Sequence, residues 1–168
     1  MRILLAEEEV QARVHALAER LDDLYRDSTD LVLVGVLRGA VYFLADLSRA
    51  MRVPHRIDWV EYASYTGTAK HSGTVVKSCS DPVSGADVVL VDEVFDTGET
   101  LHTLRETMLV GRPRSVAACV LLVKQGQSAL AEPELCGFHV GPEFLVGYGL
   151  DHNQHYRHLP YVAVLEED

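Results

Sequence analysis

Cysteine is scarce in this chain. Its 168 residues include three, Cys79, Cys119 and Cys136. They are odd in number, widely spaced and without a CxxC pair, which supports neither a disulfide framework nor a zinc knuckle. No apolar run approaches the roughly 20 residues of a membrane-spanning helix. Positive charge is also short: 15 Lys and Arg stand against 25 Asp and Glu, a formal net charge of −10. General nucleic-acid binding relies on basic side chains that neutralise phosphates, so this balance argues against it. A local cationic site for a small phosphorylated molecule stays compatible with it. The opening Met1-Arg2-Ile3-Leu4-Leu5-Ala6-Glu7-Glu8-Glu9 turns acidic too soon for a secretory signal. A cytoplasmic chain without membrane association is the expectation. Internal repeats, low-complexity segments, a Walker A loop and a GxGxxG fingerprint are all missing.

What is present suits one globular domain. Hydrophobic residues make up 48% and charged residues 24%, ordinary for such a chain and enough for a real core. Cys119 sits within the apolar run Val116–Val123 and is expected in that core.

The stretch Val88–Leu101 organises the rest. Val88-Val89-Leu90-Val91 suits a strand buried on both faces. Asp92 and Glu93 follow at once. A buried carboxylate pair is costly, so the strand should end at a site that uses the charge. Asp96-Thr97-Gly98-Glu99-Thr100 is short and polar, and Gly98 lets the backbone turn and approach a ligand. Leu101, Leu104, Leu109 and Val110 are then spaced like one face of a helix. A loop at a helix N-terminus aims free N–H groups at an anion, and the macrodipole adds to the attraction. Two acids beside it can manage a hard cation such as Mg²⁺. A core strand followed by an ordinarily capped helix would use the same Thr, Asp and Gly. It leaves the adjacent acids unexplained.

Elsewhere, Val10, Val14, Leu17, Leu21 and Leu24 predict an amphipathic helix after the acidic Glu7–Glu9, with His15 at its surface. Leu31–Leu37 is a second buried strand, leading through Arg38-Gly39 into a helix over Ala40–Met51. This unit is a second candidate anion site. Arg56–Tyr62 and Thr74–Ser78 read as strands around a polar, glycine-bearing loop. Ser115–Val123 is a third buried strand with Lys124 at its end, a lysine that either reads a ligand oxygen or snorkels to solvent. His152, His155 and His158 recur every three residues. On a helix they could meet one zinc ion, although no cysteine or supporting shell accompanies them. The acidic tail from Leu165 is expected to fray.

The order apolar strand, two acids, two apolar residues, Asp-Thr-Gly-x-Thr resembles the phosphoribosyl pyrophosphate (PRPP) motif of type I phosphoribosyltransferases. A second match, Gly137–Asp151 with Tyr156–Tyr161, resembles the base-binding region of the 6-oxopurine branch, and the likeness runs from the first helix to about Val164. It implies an α/β fold: a twisted, mainly parallel sheet flanked by helices, with a small hood. Residues 1–168 would form one domain, the hood coming mainly from about 137–168 with the N-terminal segment. It implies transfer of phosphoribose from PRPP to hypoxanthine or guanine, giving IMP or GMP and pyrophosphate, with Mg²⁺ as cofactor. A homodimer or homotetramer is implied as well.

By the same resemblance, Asp92 and Glu93 organise ribose and metal, and Asp96 acts at the base nitrogen N7. Thr97, Gly98, Glu99 and Thr100 hold the 5′-phosphate. Leu37, Arg38 and Gly39 form the pyrophosphate loop, with a non-proline cis peptide at Leu37–Arg38, and Arg157 reaches pyrophosphate. Ser64 and Tyr65 belong to a loop that closes over the site and excludes water. Lys124 contacts the 6-oxo group, Phe144 stacks on the purine, Leu145 offers backbone hydrogen bonds, and Asp151 lies near the base and a second metal. Two departures stand out. The acids run Asp then Glu, where the family more often has Glu then Asp. Glu99 occupies a usually apolar or basic position, so its carboxylate must point away from phosphate. Two alternatives share the fold: a nucleotide-sensing, RNA-binding regulator, and a transferase for another base such as xanthine.

Overall fold

A computed structural model describes residues 1–64, 73–125 and 132–166. Its centre is made by the three apolar runs, as strands β2 (Leu31–Leu37), β5 (Asp87–Phe95) and β6 (Ser115–Lys124). Val32, Leu33, Val34 and Val88–Val91 are fully buried. Successive side chains of a strand point to opposite faces, so these strands feed two cores. Leu33, Val89 and Val91 join one cluster, Val32, Val34, Val88 and Leu90 the other. The strands pair in parallel, Val34 opposite Leu90 and Val89 opposite Ala117. With β3 (Arg56–Ser64), β4 (Gly73–Lys77) and β7 (Leu135–Val140) they form a six-stranded sheet in the order β4-β3-β2-β5-β6-β7. Among the described residues β4 is the one antiparallel member.

Helices α1 (Glu7–Leu24) and α2 (Val41–Ala50) cover one face, and α3 (Glu99–Val110) covers the other. At the start of α1 the Glu9 carboxylate accepts the Ala6 amide at 2.8 Å, satisfying one orphan donor of the helix end. Val10, Val14, Leu17 and Leu21 are buried as expected, but Leu24 is 62% exposed. The buried stripe closes instead through Ala18 and Asp22. Asp22 is inside because its carboxylate accepts the amides of Arg52 and Val53, each at 2.9 Å, and so ties α1 to the end of α2.

The expected face of α3 is also corrected. Leu101, Leu104 and Met108 are buried, whereas Leu109 and Val110 are 53% and 83% exposed. Met108 lies nearly two full turns past Leu101, while Leu109 and Val110 rotate about 100° and 200° further, away from the sheet.

A second sheet joins distant parts of the chain. Strands β1 (Arg2–Leu5), β9 (Val162–Val164) and β8 (Leu145–Val146) pair antiparallel in the order β1-β9-β8. Leu165 and Glu166, the described part of the tail expected to fray, are tied down. The Leu165 amide donates to the Phe144 carbonyl at 2.9 Å, and Glu166 pairs with the Met1 amine at 2.8 Å. Tyr148, buried at φ 47°, donates its hydroxyl to Asp46 of α2 at 2.6 Å. Asp46 also accepts from Gln11 of α1 at 2.9 Å. No described helix is long and apolar enough to cross a membrane.

The sheet end remote from the acid pair is held by Asp87. Its carboxylate accepts the Ser28 hydroxyl (2.6 Å), the Ser115 hydroxyl (2.7 Å) and the Arg114 guanidinium (Nε, 2.9 Å). Arg114 first, then Ser28 and Ser115, outweigh burial and hold this carboxyl well below the usual carboxylate range. A depressed folded-state value stabilises the fold above the unfolded value of about 3.9, and that gain is lost as pH falls through the lower folded value. Asp87→Asn is therefore expected to lower Tm by about 2–8 °C at neutral pH. The gap to the wild type should shrink below about pH 4. Scanning calorimetry across pH checks this, and a gap independent of pH would refute it.

Candidate functional site

The carboxyl ends of β2, β3 and β5 open onto one cavity of about 550 Å³. Each wall follows from a strand running out of the core. At the end of β5, Asp92 is 7% exposed, and its Oδ1 accepts the Glu93 amide at 3.0 Å. Burial first, then the neighbouring Glu93 charge, push the Asp92 carboxyl well above the ordinary carboxylate range. A cation beside it would relieve that pressure.

Past Phe95, Asp96 and Thr97 are exposed and Gly98 turns the chain into α3. Gly98 has φ 79° and ψ 0°, a left-handed conformation that glycine adopts without steric cost. Its carbonyl accepts from His102 at 2.9 Å, but it has no side chain to cap the first-turn amides. The Thr97 hydroxyl lies 3.5 Å from the Glu99 amide, at the outer limit of a hydrogen bond. Thr97, Gly98 and Thr100 line the cavity, so amides and hydroxyls are offered there to an anion. Glu99, expected to offer its backbone N–H there, does not line it.

The opposite wall is Leu37-Arg38-Gly39 after β2, and the Leu37–Arg38 peptide is cis, as the resemblance implied. Gly39 is buried against the Glu93 side chain. A Cβ there would overlap the Glu93 carboxylate, and a Cβ on Gly149 would overlap the Gly39 carbonyl. The Glu93 carboxylate thus packs on this loop.

Arg157 also lines the cavity, held in place rather than free. Nη1 donates to the Gly149 carbonyl at 2.6 Å, and Nη2 pairs with Asp151 at 2.7 Å.

A smaller recess of about 230 Å³ adjoins the first. Lys124 at the end of β6, Phe144 and Leu145 form its walls with Leu150. Phe144 is 53% exposed, a large apolar ring facing open space, whereas Leu145 is buried. The two recesses share Glu93, Val94, Asp96 and Asp151. A flat apolar ligand in one would thus meet a charged ligand in the other at Asp96.

Of the residues singled out from the sequence, Tyr65 lies outside the described residues. Ser64 ends β3, and its backbone pairs with Gly73 across the β3–β4 ladder. The lining residues that were not anticipated include the polar Glu61, Tyr62 and Gln154. Glu61 and Tyr62 arrive because β3 pairs with β2 in the register Glu61 opposite Leu37. That could be found only from strand order.

The histidine series is not helical. His152 and His155 exchange backbone hydrogen bonds (3.2 and 3.0 Å) across Asn153 and Gln154, both at positive φ. This is the geometry of a primed hairpin turn. Among the described residues no group of three or more His, Cys, Asp or Glu is placed to hold a metal. The oxygen donors Asp92, Glu93 and Asp151 suit Mg²⁺, which keeps several waters and binds through one or two carboxylates plus substrate phosphates.

Comparison with known proteins agrees with this geometry. The family model for the phosphoribosyl transferase domain matches residues 2–153. The hypoxanthine phosphoribosyltransferase of Salmonella typhimurium is 38% identical over 167 residues, covering 97% of this chain and 94% of that protein. The hypoxanthine-guanine phosphoribosyltransferase of Mycobacterium tuberculosis is 37% identical over 172 residues, covering 98% and 85%. Among solved structures, a Staphylococcus aureus hypoxanthine phosphoribosyltransferase superposes with a TM-score of 0.92 at 30% identity, over 98% of this chain and 90% of that one. A Trypanosoma cruzi hypoxanthine phosphoribosyltransferase complexed with the product IMP superposes with a TM-score of 0.91 at 31% identity, over 99% and 90%. A family model that matches residues 2–153 and relatives 37–38% identical over nearly the whole chain place it in the phosphoribosyltransferase family.

Proposed function

We propose that this chain salvages purines by moving the phosphoribosyl group of PRPP onto hypoxanthine or guanine, giving IMP or GMP and pyrophosphate. One observation carries the reading. The polar cavity lined by Thr97, Gly98 and Thr100 and the apolar recess with Phe144 and Lys124 share Asp96 among their walls. The 5′-phosphate sits at the start of α3, and pyrophosphate lies against Arg38, Gly39 and Arg157. The purine stacks on Phe144 with its 6-oxo group toward Lys124. Asp92 and Glu93, and at a second place Asp151, would hold Mg²⁺, which would supply charge neutralisation for the leaving pyrophosphate. Asp96 takes the proton from the base nitrogen or stabilises charge there. Residues 1–168 act as one domain whose hood is built around β8 and β9, and homodimer or homotetramer assembly and a cytoplasmic location complete the reading.

A substrate panel tests it. With PRPP and Mg²⁺, hypoxanthine and guanine should be consumed and EDTA should stop both reactions. Adenine, which presents an amino donor to the Lys124 ammonium, should react at least about 100-fold more slowly. Adenine as good as hypoxanthine would remove Lys124 from base selection. No reaction with any base, together with salt-sensitive retention of RNA on a filter, would favour a regulator on this fold.

A further inference from the structure

A half-exposed phenylalanine is a poor stacking platform unless something fixes its plane, because an aromatic side chain at a surface turns about two side-chain torsions. Phe144 has such a fixture. Its carbonyl is pinned by the Leu165 amide at 2.9 Å, which sets the backbone. The ring itself is met by the His152 imidazole, centroid to centroid 5.6 Å and 89° between planes. This is the edge-to-face arrangement that aromatic quadrupoles favour.

The imidazole is itself held from two directions. Its backbone lies in the tight turn whose His152 and His155 amides exchange hydrogen bonds. Its Nε2 accepts the Asn153 side-chain amide at 3.0 Å. The Gln154 amide at the far side of the turn donates to Asp151 at 2.8 Å, so the turn is tethered to the site. His152 itself lines neither recess.

We propose that His152 is a positioning residue for the purine. It packs at a right angle to the Phe144 ring and so fixes the ring plane that meets the base. This rests on the assignment of the apolar recess to a purine. It adds a residue that does not touch the substrate and acts through the ring that does.

The test is steady-state kinetics of wild type, His152→Ala and His152→Tyr with hypoxanthine and PRPP. Losing an edge-to-face contact should raise KM for the base about three- to tenfold. That rise should exceed any fall in kcat, with no matching rise in KM for PRPP. His152→Tyr, which keeps an aromatic edge, should restore most of the loss. Equal changes in both KM values, or a tyrosine variant no better than alanine, would reduce His152 to a residue of the turn. A wild type that transfers phosphoribose while His152→Ala is indifferent overturns this role alone. A wild type without transfer overturns the purine reading beneath it.

Discussion

Asp96→Asn should lower turnover about 10²–10⁴-fold, the range typical of removing a positioned acid or base. Asparagine keeps the shape of the side chain and its hydrogen-bonding reach, but it neither accepts a proton from a base nitrogen nor carries charge. Asp96 belongs to both recesses and lies on the exposed side of the loop, past the fully buried Val88–Val91. Its replacement should therefore leave the core and Tm nearly unchanged, and PRPP should still bind at the α3 amides. The measurement is the initial rate of IMP formation beside a thermal melt. A rate within threefold of wild type would show that Asp96 does no chemistry, and the mechanism would need another acid.

Gly39→Ala should be nearly as damaging for a different reason. The added methyl would take the place now held by the Glu93 carboxylate. Either Glu93 swings off or the loop lifts. In both cases the groups expected to grip PRPP move by about an ångström, a displacement that can cost about 100-fold in kcat/KM. Overpacking alone would appear chiefly as lost stability, so the second variant matters. Gly39→Ala with Glu93→Asp withdraws the carboxylate by one methylene and should recover part of the loss. If the double variant is no better than the single one, the close packing of Glu93 on the loop is not what makes glycine necessary.

These expectations were legible in the sequence to unequal degrees. β2, β5 and β6 could be read because strands covered on both faces are written as unbroken apolar runs. β7 and β1 could not. Leu135–Val140 mixes buried and exposed positions at a sheet edge, and Arg2–Leu5 is a strand by virtue of pairing with Val162–Val164 at the other end of the chain. On α3 the apolar residues allowed two registers, and Met108 rather than Leu109 faces the sheet. The site shows the same division. Asp92–Thr100 is contiguous, so its chemistry could be read along the chain. Tyr62 and Gln154 reach the cavity through strand order and a hairpin turn, neither of which leaves a local pattern. The histidine triplet had a helical spacing but sits on that turn, where Asn153 and Gln154 take the positive φ values that a helix excludes.

The Tyr148–Asp46 hydrogen bond bears on attempts to retune this protein. Asp46 belongs to the helix that starts two residues after Gly39, and Tyr148 is one residue from Gly149, whose backbone rests on the Gly39 carbonyl. The Tyr148–Gly149 segment and the Leu37–Gly39 loop are thus riveted together, and if they hold the base and pyrophosphate as proposed, engineering one for a new nucleobase would disturb the cosubstrate's grip in the same stroke. Lys124, rooted at the end of a central strand, is the better place to change one preference and leave the other alone.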